Sequence, residues 1–278
     1  LGASVPGIPA NATPAKVLNL SLGGSGGCTG STGTLYTDAI AEATARNAVV
    51  VVAAGNSAGE PVDLPANCPG AIAVAGLRHV GTKVGFSSMG PQVTIAAPGG
   101  NCVNLGGTCL YPMVSTTNSG TQGPLLNTYT YNQASVGTSF ATPLVAGVAA
   151  LLYARDASLT SAQVRNALTS TARPFPTSGS GSDVRACPAP VKGTEVLECY
   201  CTSTTCGAGM LDARAAVAAV GPPIAAPAPA PSTGGGGGGG ASHPGWLLAL
   251  LGAVALLSGR GMRRSMAPTR SAPAPRQG

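Results

Sequence analysis

The stretch Val136-Gly-Thr-Ser-Phe-Ala-Thr-Pro-Leu-Val-Ala-Gly-Val-Ala-Ala-Leu-Leu152 sets one serine at the mouth of an almost wholly apolar segment. Gly137 and Thr138 make the entry to a helix, and Pro143 is expected in its first turn, where a missing N–H leaves no bond unmade. Phe140, Leu144, Val145, Val148, Leu151 and Leu152 leave no polar face, so the helix is expected inside a sizeable domain. Ser139 then lies beside unpaired backbone N–H groups in a positive local field, a place that suits a nucleophile whose reaction develops an oxyanion. Position alone favours a plain N-cap, so the rest of the chain has to decide.

Working outward, the upstream sequence reads as strand, helix, strand. Lys16–Ser21 is a buried strand ending at Gly23-Gly24. Thr34–Asn47 is a helix with Leu35, Ala39, Ile40 and Ala43 on its inner face, and Ala48–Ala54 is a continuous β-branched and alanine run suited to a central parallel strand. Ala71–Ala75 and Val93–Ala96 read as further short strands, with turns at 86–90 and 97–100. Residues 101–135 are polar and Gly-rich, and read as a surface excursion closed by Cys102 and Cys109. Downstream of the apolar helix, Thr160-Ser-Ala-Gln163 has capping-box spacing ahead of an inward side of Val164, Ala167 and Leu168. Residues 172–207 form a loop with four cysteines, and Asp212–Val220 is a short closing helix.

Beyond residue 220 the composition changes. Residues 221–243 are a Pro/Ala-rich linker with seven consecutive glycines, Gly234–Gly240. Residues 244–264 hold the apolar run Trp246–Leu257 and then Arg260, Arg263 and Arg264; residues 265–278 read as a disordered tail. Twelve apolar residues fall short of the roughly 20 that span a bilayer squarely, yet the interfacial tryptophan and terminal arginines fit a membrane segment. Five of the fifteen basic residues lie in the last nineteen positions, so the net charge of +6 leaves no basic face in the main domain and argues against nucleic acid. Eight cysteines in a loop-rich chain point to disulfides in an oxidising compartment; zinc is the weaker reading, because no Cys-x-x-Cys occurs and neither histidine lies near Cys199, Cys201 and Cys206.

Gly137-Thr-Ser-Phe-Ala-Thr-Pro143 resembles the nucleophile motif of subtilisin-like serine peptidases; Leu144 departs from it, standing where many relatives carry a histidine. Further patches follow in the same order: Lys16–Gly24 resembles the strand whose Ser-Leu-Gly edge pairs with substrate, Val51–Asn56 the strand and loop of the oxyanion asparagine, and Ala97-Pro-Gly99 the turn ahead of the nucleophile region. Cys206–Asp212 resembles the family's closing segment. The resemblance covers about residues 11–220 and implies an α/β, three-layer fold with a central, mostly parallel sheet, followed by the linker and a short hydrophobic helix. It implies acyl transfer on Ser139, with Asn56 and the Ser139 N–H as oxyanion donors. An extended polypeptide substrate is expected between Ser21, Leu22 and Gly23 on one side and Ala53, Ala54 and Gly55 on the other, with a primary pocket open to large apolar side chains. No metal site and no cofactor is evident; calcium is implied by the family alone, at no identified site. The glycine run, apolar segment and basic end resemble a GlyGly-CTERM sorting signal, which implies a secreted or surface-anchored protein of a bacterial envelope.

The family's aspartate and histidine motifs are absent. They are expected to precede residue 11, and neither His79 in a turn nor His243 in the linker is placed to activate Ser139. The sequence, which opens on Leu1, is therefore expected to be the C-terminal part of a serine endopeptidase domain, residues 1–220, inactive alone. A catalytically dead, peptide-binding or surface module of the same fold is the alternative. By the same resemblance Cys28 is expected to pair with Cys68 and Cys187 with Cys206, and Cys102–Cys109 would close its local loop; the pairing of Cys199 and Cys201 stays open.

Overall fold

Val17–Leu20 (β1), Val49–Ala53 (β2), Ile72–Leu77 (β3) and Val93–Pro98 (β4) form a four-stranded sheet in the order β1-β2-β3-β4, every neighbour parallel. The computed structural model describes residues 6–9, 11–100, 111, 113–130 and 136–221. The linker, the Trp246–Leu257 segment, His243 and the Cys102–Cys109 pairing lie outside the described residues.

The expected α/β class and parallel sheet are what the chain forms. The continuous run of β2 is buried at every position, and its side chains divide by alternation between two cores. Val49 and Val51, with Ile72, Val74, Ile95 and Ala97, face a helical layer of Thr138–Arg155 (α2), Ser161–Ser170 (α3) and Ala213–Ala218 (α4). Val50 and Val52, with Ala73, Ala75 and Ala96, face Gly30–Ala45 (α1) and the loops carrying Val62, Leu64, Cys68 and Met89. α3 begins at the expected capping box, with Thr160 accepting from Gln163 N and the Gln163 side chain accepting from Thr160 N.

Several details differ from the expectation. In α1, Leu35 is 72% exposed and Ala39 is exposed; Gly33, Ile40 and Ala43 make the buried stripe, with Tyr36 packed beside it. Periodicity picks out this helix but is compatible with two adjacent stripes. Residues 101–135 are more than a loop: Ser115–Asn118 (β5) and Asn127–Thr130 (β6) pair antiparallel as a separate hairpin. α2 is 18 residues long with a mean hydropathy of 1.2, enough by length and composition to cross a bilayer, yet half of it is buried against the sheet. Its other side is open. Pro143, Leu144, Gly147, Ala150, Leu151 and Ala154 form an exposed apolar stripe, so the helix is not enclosed on all sides.

Among the described residues the disulfides are Cys28–Cys68, as expected, Cys187–Cys199 and Cys201–Cys206. The expected Cys187–Cys206 pair is thus corrected. Tyr200 donates its N–H to the Arg185 carbonyl and Cys187 donates to the Tyr200 carbonyl, which aligns Cys187 with Cys199; Cys201 and Cys206 then close the turn in which Cys206 N bonds to the Thr202 carbonyl. The sulfurs of Cys187, Cys201 and Cys206 lie within 4.8 Å of one another, but each is committed to a disulfide, which removes the thiolates that zinc would need.

Candidate active site

Sheet pairing between β1 and β2 stops at Leu20↔Val52, and the two chains then part at their carboxyl ends. A cleft of about 310 Å³ opens there, lined by Leu22, Gly23, Ala53, Ala54, Gly55, Asn56 and Ser139. Ser21 lies at its margin, bonded to Ser139 rather than lining it. Open α/β sheets place ligands at this end of the strands. All eight residues singled out from sequence therefore meet in one place. Gly24, Ser25, Ser57, Asp63, Leu64 and Thr138, which sequence reasoning missed, complete the wall. Gly24 N donates to the Leu64 carbonyl, carrying the 62–66 segment alongside the Leu22–Gly24 edge, and Asp63 is the one charged residue in the lining.

Ser139 is not an N-cap. Gly137 caps α2, and Ser139 is its second helical residue, which leaves the Ser139 N–H among the first four without an intrahelical partner. Gly137 has φ +142°, and a Cβ there would come within 3.3 Å of Asn56 Nδ2, so only glycine sits easily under the asparagine amide. Pro143 is the sixth residue of the helix rather than a first-turn residue. Its missing N–H leaves the Ser139 carbonyl without its i+4 donor, and that carbonyl accepts instead from Ser21 Oγ at 2.7 Å. Ser139 Oγ in turn donates to the Ser21 carbonyl at 3.3 Å. This reciprocal pair ties α2 to the end of β1.

Asn56 follows Gly55, whose φ of +110° and 3.0 Å clearance to Ser88 Oγ exclude a side chain. The asparagine amide is oriented by Thr138, fully buried, whose N–H and Oγ1–H both donate to Asn56 Oδ1 at 3.0 Å. Thr138 Oγ1 also accepts from Gly55 N at 3.3 Å. With Oδ1 held by two donors, Nδ2 is the end left to face a ligand. Thr138 lay in plain view between Gly137 and Ser139, but nothing in the linear sequence pointed its hydroxyl at residue 56.

A buried lysine and a half-buried glutamate lie outside the cleft lining. Lys83 is fully buried and donates from Nζ to the carbonyls of Val84, Gly85 and Ser87 at 3.0–3.1 Å; burial pushes its pKa down to about 7. Glu198 is held by Arg78, Thr82 and Ser180. Burial raises its carboxyl, but the hydrogen bonds from Ser180, Thr82 and Arg78 and the Arg78 charge outweigh this and hold it below the usual range. His79 is exposed beside the Tyr111 ring, away from the cleft lining. Among the described residues no histidine lines the cleft.

The comparisons agree with this geometry. Residues 7–205 match the Subtilase family. The chain is 40% identical over 221 residues to an extracellular protease of Xanthomonas campestris pv. campestris, covering 78% of this chain and 31% of that one. It is 38% identical over 160 residues to the subtilisin of Bacillus pumilus, covering 56% of this chain and 49% of the other. A protease structure from Pseudoalteromonas arctica superposes with a TM-score of 0.59 at 38% identity, covering 78% of this chain and 55% of that chain. The chain spans about a fifth to a half of the length of the curated relatives it matches. With its sheet, its cleft and a family match over residues 7–205, most of its length, this chain belongs to the subtilase family.

Proposed function

We propose that the chain is the C-terminal part of the catalytic domain of a secreted subtilisin-like serine endopeptidase, acting through an acyl-enzyme on Ser139. The observation that carries this reading is the Thr138 bridge, which orients the Asn56 amide beside the N–H-rich mouth of α2. Ser139 Oγ attacks a peptide carbonyl, the C=O electron pair moves onto oxygen, and the hydroxyl proton passes to a base. Asn56 Nδ2–H and the Ser139 N–H receive the oxyanion; collapse breaks the C–N bond, the amine leaves with the proton, and water then hydrolyses the ester. Substrate lies extended between the Ser21–Gly23 and Ala53–Gly55 edges, and Asp63 on the wall suits a side chain with an apolar stem and a polar or cationic end.

In this reading the base and its aspartate come from the part of the domain preceding residue 11. The exposed apolar stripe of α2 and β1, which pairs with β2 alone among the described residues, support it, because a complete domain would cover both. Residues 221–243 are then a linker and 244–264 a sorting or anchoring segment, on their composition. The name of the Xanthomonas relative supports secretion. The second reading, a catalytically dead peptide-binding module, is favoured by one feature: among the described residues, the only group to which Ser139 Oγ donates is a main-chain carbonyl. Labelling by a serine-directed phosphonate decides between them. The full-length protein is expected to be labelled at Ser139 and residues 1–278 alone are not. Proteolysis by residues 1–278 that Ser139→Ala abolishes would overturn the incomplete-domain reading, and a full-length protein inert to the phosphonate would favour the dead module.

A further inference from the structure

The segment carrying Asn56 is not held by the sheet. Beyond Ala54 it makes a loop in which Ala58 has φ +45°, a left-handed conformation that a non-glycine residue keeps only where its surroundings impose it. Thr138 holds one side of this loop. The other side rests on residues 84–88: Ser57 N donates to Ser88 Oγ, Ala58 N to the Phe86 carbonyl and Gly59 N to the Ser87 carbonyl, while Ser88 N donates to the Gly55 carbonyl. The floor is itself irregular, and three of its carbonyls, those of Val84, Gly85 and Ser87, converge on the Lys83 ammonium. The Ser87 carbonyl thus receives both Lys83 Nζ and Gly59 N, which leaves two hydrogen bonds between the lysine and the asparagine loop. Among the described residues no carboxylate is hydrogen-bonded to Lys83, so the charge is not part of an ion pair. A fully buried amine whose three hydrogen bonds all go to one loop is suited to setting that loop's shape.

We infer that Lys83 is a positioning residue for oxyanion stabilisation: its ammonium shapes the 84–88 floor that holds the Asn56 loop in register with Ser139. The inference rests on the proposed peptidase reading for its kinetic consequence, but not for its structural one. In the full-length protein, Lys83→Met removes all three donors. The expected result is a kcat lower by about 10–100-fold with KM little changed, because a donor displaced by a fraction of an ångström to 1 Å loses most of its effect in the transition state. On an Asn56→Ala background the same change is expected to cost little more, since the donor it positions is already gone. Lys83→Arg, which keeps donors and charge, is expected to recover part of the rate. Hydrogen exchange supplies a readout independent of activity: uptake at Ser57, Ala58 and Gly59 is expected to rise in Lys83→Met while β2 and β3 stay protected. Undiminished loss on the Asn56→Ala background, or unchanged exchange at residues 57–59, would overturn the inference. If the wild-type protein hydrolyses no peptide, the peptidase reading fails, and exchange alone decides for or against the positioning role. If Lys83→Met does not fold, Lys83→Gln, with two donors for three carbonyls, is judged by the same two readouts.

Discussion

Replacing Thr138 by valine tests the site at its smallest component. Thr138 is fully buried, and valine has nearly its shape, so the change opens no cavity and removes only the hydroxyl. Two hydrogen bonds go with it, the one donated to Asn56 Oδ1 at 3.0 Å and the longer one accepted from Gly55 N at 3.3 Å. Asn56 Oδ1 keeps the Thr138 N–H, so that loss is one ordinary hydrogen bond, about 1 kcal/mol; the half-buried Gly55 N–H loses its acceptor for about as much again. The expected fall in stability is about 2 kcal/mol, or about 4–8 °C in Tm for a domain of this size. The kinetic effect is separate. An amide pinned by one donor instead of two samples orientations in which Nδ2 misses the oxyanion, and a loss of about 1.4 kcal/mol in the transition state is a tenfold fall in kcat. KM is expected to hold, because the cleft edges are unchanged. Thermal unfolding and steady-state hydrolysis of a peptide anilide by the full-length protein give both numbers, with Thr138→Ser, which restores the hydroxyl, as the control. A Thr138→Val enzyme with wild-type kcat, or one whose tenfold loss recurs undiminished on an Asn56→Ala background, would refute the orienting role.

Leu152 is fully buried in the α2 core while its neighbour Leu151 is 54% exposed; in residues 1–278 Leu152→Ala is expected to lose about 2–5 kcal/mol and Leu151→Ala less than about 0.5 kcal/mol, measured by urea unfolding. Cys28–Cys68 closes a separation of 40 residues and Cys201–Cys206 one of 5, so the loop-entropy model gives about 4 and about 2 kcal/mol; the double serine variant at 28 and 68 is expected to show the larger drop in Tm. Glu198 has a folded pKa below its unfolded one, so its contribution is complete above about pH 4.5 and is lost as the pH falls through the folded value. Wild type and Glu198→Gln should therefore differ in Tm at neutral pH and converge in acid; a constant gap would place the effect elsewhere.

What the linear sequence discloses here follows from how local each feature's cause is. The β2 run and the Thr160–Gln163 box act through residues next to one another, and both appear where the pattern places them. The burial of Ile40 but not Leu35 depends on which of two apolar stripes meets the sheet, a tertiary choice. The β5–β6 hairpin strands are Ser, Thr and Asn with one tyrosine, Tyr129, and so carry no apolar alternation to announce them. Cysteine partners depended on the Arg185–Tyr200 backbone pairing, invisible in spacing. For the site, motif residues were legible as a set, whereas the groups that orient them, Thr138, Ser21 Oγ and Lys83, act across 82, 118 and 27 residues of chain.

The sheet order has a kinetic meaning. Each of the three neighbouring pairs in the main sheet is parallel, so none can be closed by a tight hairpin, and each requires the chain to travel out and back before a single rung forms. β1 meets β2 only after α1 has been laid down between them. Such pairings come late on a folding route, because the closure entropy is spent before the contacts reward it, and by the same path they are lost on the climb to the unfolding barrier. Refolding from denaturant is accordingly expected to be slow, and so is unfolding of the assembled sheet. On the proposed reading of a secreted peptidase, survival among proteases is then governed by the height of a barrier more than by the depth of a well.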